Sequence, residues 1–373
     1  MTEPGPKRHE LPVEEATERV AWVLTGAIVA LSVLALLTVD RRKDDTATTD
    51  TETATTQPTS STTDTATGDD GSRATGEPSA SERFTISASG DIIVHGRVAE
   101  AAAIDSGYDF TPLFANVQGP ISTADLAICH LESPLSATNT DLAFGEAGAF
   151  RAPNQLADAL AAVGFDSCSV ASNHAYDSGE SSVTATVEQL ERVGLPHVGV
   201  AATDEQAAAL WQFEIGDVTV GHLAYTYGLN GRAVGEVPTS RVAQIDEATI
   251  LSDAARHTAA GTDFLDDSMH WGDEFDAELT DLQTELGPRL IASDDVDLLI
   301  GHSAHVPQQL TEYDGEYVAY GLGNLLSNQS IDAPECPTLC TLESQDGALV
   351  EFVVDRLDDG SLGVVDVVAR PTW

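Results

Sequence analysis

From Phe84 onward, short apolar runs alternate with stretches of helical period, and that alternation predicts an α/β layered fold with mixed sheets. FTISASG (84–90), DLAICHL (125–131), DSCSVAS (166–172), VTVGHLAY (218–225) and VDLLIG (296–301) read as strands. Between them, Asn154 is placed to cap a helix carrying Leu156, Leu160 and Val163 on one face and ending at Gly164. Further helices are predicted near 179–193, 247–260 and 277–291. A strand near 263–269 is a weaker reading, because Asp266 and Asp267 interrupt it. After residue 316 the pattern changes. YVAYGLG, GALVEFVVD and LGVVDVVAR are strand-like with no helix between them, which predicts an antiparallel sheet closing the domain over 331–373.

Ahead of this domain the pattern differs. Residues 20–39 carry no charge over 20 positions. At ~1.5 Å per residue they would span ~30 Å, one hydrocarbon core. A secretory signal is the rival, but its apolar region usually runs ~7–15 residues. We read a single membrane anchor between a cytoplasmic segment, 1–19, and a stalk, 40–83. The stalk is rich in Thr, Ser and Asp and almost devoid of large apolar residues, so it is expected to be disordered. Lys7, Arg8 and Arg19 before the span balance Arg41, Arg42 and Lys43 after it, so charge does not orient the anchor. Ser/Thr-rich stalks favour an outward-facing domain at the cell membrane.

Charge adds an environment. The chain has 61 acidic and 17 basic residues, a formal charge of −44, and its only lysines are Lys7 and Lys43. Acid excess spread along a foldable sequence suits very salty water, where a Debye length of ~3 Å at ~1 M screens self-repulsion. It argues against nucleic acid as a partner. Of the four cysteines, Cys129 and Cys168 read as small buried core residues. Cys336 and Cys340 bracket a short loop where an outward-facing domain would permit a disulfide.

Candidate chemistry lies at the ends of the apolar strands: Asp91, His130 with Glu132, Asn173 with His174 and Asp177, His270, and His302 with His305. Parallel strands would deliver these distant residues to one sheet edge. His130 and Glu132, two apart on an extended strand, point the same way. Asn173 is a costly residue at the end of an apolar strand unless its amide has a strong partner. Mixed carboxylate, amide and imidazole ligands suit a borderline divalent metal, Mn, Zn or Fe, better than Ca²⁺ or Mg²⁺. His174 would act as acid or charge stabiliser, oriented by Asp177. His95, His197, His222 and His257 have no such setting and are read as structural or solvated.

The order and wording of these clusters resemble the CapA-type capsule (poly-γ-glutamate) biosynthesis proteins, themselves similar to calcineurin-like metallophosphoesterases. The motifs are Gly90-Asp91, DLAICHLESP (125–134), Asn173-His174 with Asp177 and Gly179, His270-Trp271-Gly272 with Glu274, DLLIGHSAHVPQ (297–308) and YGLGN (320–324). They cover 84–330. The resemblance implies a four-layer α/β/β/α sandwich with one or two metal ions at the strand ends. It implies metal ligands at Asp91, Glu132, Asn173, His270, His302 and His305, with His130 a further candidate, and a catalytic imidazole at His174. Trp271, Glu274 and Asn324 are implied pocket residues. The chain departs from the pattern at His130, where Asn is usual, at Ser172, Ala304 and Leu325, and at Asp91-Ile92-Ile93, where the phosphoesterases have Asp-x-His.

Two functions follow as expectations. One is an anchored metallohydrolase attacking a phosphoester or an anionic surface polymer with metal-activated water. The other is a non-catalytic assembly protein that binds such a polymer or a capsule synthase in the membrane. A polyanion groove should gather arginines, and Arg97, Arg151 and Arg232 are the loop candidates.

Overall fold

The computed structural model describes residues 83–145, 148–233, 235–333 and 340–373. The expected anchor and most of the stalk lie outside them. No helix among the described residues is long and apolar enough to cross a membrane.

Strand β1 (Phe84–Ile92) sits inside a seven-stranded sheet. On one side it is followed by β2 (Leu126–Leu131), β3 (Ser167–Ser169) and β4 (His197–Val198), each parallel to its neighbour. The chain then builds a six-stranded sheet from β5 (Gln212–Ile215), β6 (Val218–Thr226), β7 (Phe264–His270), β8 (Leu298–His302), β9 (Leu310–Tyr313) and β10 (Glu316–Ala319). Here β6, β7, β8 and β10 are parallel, and β5 and β9 are antiparallel edges. Finally the chain returns to the first sheet. There β11 (Asn324–Leu326) lies parallel to β1, while β12 (Gly347–Arg356) and β13 (Leu362–Thr372) close its other side antiparallel.

Alternation of apolar residues along the strands explains the layers. Ile86, Leu126 and Ile128 pack in one cluster with Val220, Phe264, Leu298 and Ile300, joining the two sheets face to face. The outer face of the first sheet is covered by α1 (Gly96–Ala102), α2 (Gln155–Val163) and α3 (Glu180–Val193). That of the second is covered by α4 (Glu247–Ala259) and α5 (Asp281–Ile291). The order is helix, sheet, sheet, helix.

Several local readings change. Asn154 occupies the N-cap position of α2, but its side chain donates to the Ala137 carbonyl instead. The helix expected from 277 starts at Asp281, because Thr280 and Gln283 form a reciprocal capping box there. YVAYGLG does not join the closing sheet. Its first residues form β10, parallel to β8 in the other sheet. Cys129 and Cys168 are buried as expected, yet they are not free thiols. They sit opposite each other on β2 and β3 and form a disulfide, with Cα atoms 4.5 Å apart. Cys340 is disulfide-bonded, and Cys336 lies outside the described residues.

Candidate metal centre

Because β1, β2 and β3 run parallel, as do β6, β7 and β8, the carboxyl ends of both groups lie at one edge of the sandwich. Register brings Asp91 beside His130, and His270 beside His302. The turn after β8 holds Ser303 and His305 at φ 86° and 56°, a left-handed conformation uncommon for side chains of this kind. That turn aims three groups at the Asp91 carboxylate. His302 Nδ1 is 3.1 Å from one oxygen, and the Ser303 amide (3.1 Å) and His305 Nδ1 (3.0 Å) face the other.

Two buried triads share Asp91: Asp91 with His130 and His302, and Asp91 with Glu132 and His305. In each, one ligand atom per residue lies within 4.8 Å of the others. The His130 and His302 rings stack with centroids 3.9 Å apart. Both Glu132 oxygens and His302 Nε2 are buried with no hydrogen-bond partner. Burial without a partner costs free energy, and a cation among these atoms removes the cost. The donor set of imidazole nitrogen and carboxylate oxygen fits a divalent metal ion.

Electrostatics follow from the crowding. Burial pushes the Asp91 carboxyl up, but hydrogen bonds from His302 and His305 outweigh it and hold it well below its ordinary value. Glu132, with no such donor, is pushed up to about 7 by burial. Burial opposes charge on His305 too, yet the Glu132 and Asp91 carboxylates raise it to about 9. His130 and His270 are pushed well down, chiefly by burial.

The remaining sequence candidates arrange around this core. Asn173 Oδ1 is 3.1 Å from His270 Nε2, and His270 Nδ1 is 3.0 Å from His130 Nε2, so this pair flanks the triads. His174 Nδ1 meets Asp177 Oδ2 at 2.8 Å, while its Nε2 lies 4.0 Å from Glu132. Burial lowers the His174 pKa, but the hydrogen bond to Asp177 and the Glu132 charge turn the net shift upward. The Phe150 amide donates to the same Asp177 oxygen and fixes it. Asn324 lies beneath the cavity, its side-chain oxygen 3.1 Å from His305 Nδ1. Glu274 is exposed at the cavity wall. Trp271 is not at the cavity: its indole donates to the Tyr320 carbonyl and packs in the outer core of the second sheet.

The cavity over the centre measures about 600 Å³. His95, read as structural, lines it, as do Phe150, Asn230, Arg232 and Phe275. Asn230 Nδ2 approaches both ring nitrogens of His174 at 3.4 Å. No spacing signal marks Asn230, which stands in a polar loop. Of the loop arginines, Arg232 lies over the Tyr176 ring at 5.4 Å and pairs with Glu236 at 3.2 Å, Arg151 is ion-paired with Asp141, and neither Arg97 nor Arg151 lines the cavity.

Comparison with known proteins agrees with the motif reading. The family model of the bacterial capsule synthesis protein PGA_cap matches residues 85–329. The PGA biosynthesis protein CapA of Bacillus subtilis is 23% identical over 282 residues, covering 74% of this chain and 70% of its own length. Among solved structures, the calcineurin-like phosphoesterase YfkN from Bacillus subtilis aligns at a TM-score of 0.47 and 12% identity, over 79% of this chain and 91% of that one. A 5′-nucleotidase precursor from Thermus thermophilus aligns at 0.44 and 13%, over 78% of this chain, which spans about half (54%) of that protein.

Proposed function

This chain belongs to the family of the bacterial capsule synthesis protein PGA_cap, and we propose that it serves capsule assembly as a metal-dependent hydrolase of a phosphoester or an anionic surface polymer. One observation carries the reading: Asp91 is common to two buried triads whose members include atoms with no hydrogen-bond partner. Asp91, His130 and His302 would hold one divalent ion, and Asp91, Glu132 and His305 a second, with Asn173 and His270 as adjoining ligands. Such ions, when bound, polarise a phosphoryl oxygen and make water nucleophilic at neutral pH.

The chain's own residues supply the rest. With Nδ1–H donated to Asp177, His174 presents Nε2 to the cavity, where it gives its proton to the leaving oxygen. Arg232 lies at the cavity wall, where its exposed pair with Glu236 leaves the guanidinium open to an anionic substrate. The sequence before residue 84 supports an anchored, outward-facing protein, and its acid excess supports a salty setting.

A second reading, a polymer-binding protein without turnover, is favoured by Ile93. It lines the cavity two residues after Asp91, where the phosphoesterase motif carries His.

Metal analysis of the purified chain separates the premises. Mn, Zn or Fe should co-purify, and Asn173→Ala and His302→Ala should each lower occupancy; full occupancy in both would overturn the ligand assignment. In ~3 M salt, where surface charge is screened, His174→Ala should lose ~10²–10⁴ of phosphodiester turnover while keeping its metal. A fully loaded protein with no turnover transfers the conclusion to the second reading.

A further inference from the structure

A second cavity of about 390 Å³ opens where the edge strand β4 meets β6 and α4, and it shares no lining residue with the cavity over the metal centre. Its wall combines Trp211, three histidines (His197, His222 and His257) and two arginines, Arg241 and Arg256. Nothing in the proposed hydrolysis uses them.

Their chemistry narrows the ligand. Both arginines already have carboxylate partners, and two of these, Asp253 and Asp204, line the same cavity. Arg256 pairs with Asp253 at 2.9 Å and donates to the Ala208 carbonyl at 2.8 Å, and Arg241 pairs with Asp204 at 3.1 Å and Glu180 at 3.5 Å. An anionic ligand would meet the Asp204 and Asp253 carboxylates on the cavity wall and compete with them for the guanidinium groups. The three imidazoles are neutral, since burial lowers each pKa, that of His222 to about 3. A neutral imidazole has one donor and one acceptor nitrogen. His257 uses Nδ1 on the Thr262 hydroxyl at 3.1 Å and leaves Nε2 buried with no hydrogen-bond partner. Trp211, partly buried, packs on Ala171, Val198 and Ala224 and adds a broad ring face to the wall.

We propose that this cavity binds a neutral polyhydroxylated ring, a monosaccharide unit, stacked on Trp211 and hydrogen-bonded to His257 Nε2. His222 spends both ring nitrogens on the Ser167 and Ser268 hydroxyls, so the match rests on His257: a hydroxyl both donates and accepts, which suits its neutral imidazole better than an anion or a cation does. The volume lies at the small end of ligand cavities, ~300–1,000 Å³, so it admits a ring or two and not a long polymer segment.

Saturation-transfer NMR on the full chain, with glucose, N-acetylglucosamine, glucuronate and adenosine as separate probes, tests this. A neutral sugar should receive saturation, and glucuronate should bind about tenfold more weakly or not at all. Trp211→Ala and His257→Ala should each weaken sugar binding about tenfold, the worth of one buried hydrogen bond or stacking contact. The milder Trp211→Phe guards against loss of folding and should retain most of the affinity. His174→Ala should leave sugar binding unchanged, which separates this site from the metal centre. Binding of adenosine but no sugar, binding of no probe, or sugar binding indifferent to Trp211→Ala and His257→Ala would each overturn the proposal.

Discussion

Asp266 and Asp267 are costly residues to bury. Both are fully buried in β7, and none of their four carboxyl oxygens has a hydrogen-bond partner. Burial pushes both pKa values well above the ordinary carboxylate range, with Asp253 adding to the shift at Asp267. The folded chain therefore holds protons that the unfolded chain releases. Stability is greatest below the ordinary carboxylate pKa and is lost as pH rises toward the raised value, by up to about 1.4 kcal/mol per pH unit for each group. Asp267→Asn removes one such group. Its unfolding free energy should exceed that of the native protein at pH 7 and fall less steeply between pH 5 and 8; identical pH slopes in denaturant titrations would refute the account. These carboxylates also explain why β7 was hard to recognise from its pattern: alternation rules assume that a buried strand is apolar, and this one is not.

At the scale of elements, the centre depends on how closely β8 approaches its neighbours. A Cβ on Gly301 would collide with the Tyr320 carbonyl and lie 2.7 Å from the Trp271 indole nitrogen. Gly301→Ala should force β8 outward and displace His302, the next residue. We expect a loss on the order of 3 kcal/mol in stability and a drop in bound metal, measured by thermal melts and metal analysis. Unchanged melting and metal content would show that the strand has slack. The elements also show what was legible. Asp91, His130 and His302 could be placed together because each ends a strand-like run, and parallel pairing leaves such ends at one edge; His270 joins them by its motif with Trp271 and Gly272 and not by an apolar run. β4 and β11, two and three residues long, carry no period to detect, and the Trp271 side chain turns into the core although its neighbour His270 turns to the site. Nor did spacing reveal the disulfide, since it depends on β2 and β3 lying in register.

Over the whole molecule, the formal charge of −44 sets the conditions under which any of this is measured. Repulsion among carboxylates reaches ~10 Å at 0.1 M salt and only ~3 Å at 1 M. The melting temperature of the full chain should therefore rise between ~0.1 M and ~3 M potassium chloride, and a flat profile would argue against a salt-adapted protein.

The return of the chain to its first sheet has a consequence in time. β1 is flanked by β2 on one side, but its other flank is filled by residues 324–326 and 349–354, near the end of the chain. During synthesis the earliest strand waits with an open edge until nearly every later residue has been made. A polypeptide stalled or cut before residue 324 would display that edge to other nascent chains, an invitation to aggregate. For a protein of this design, quality control must reckon with unfinished copies before it meets misfolded ones.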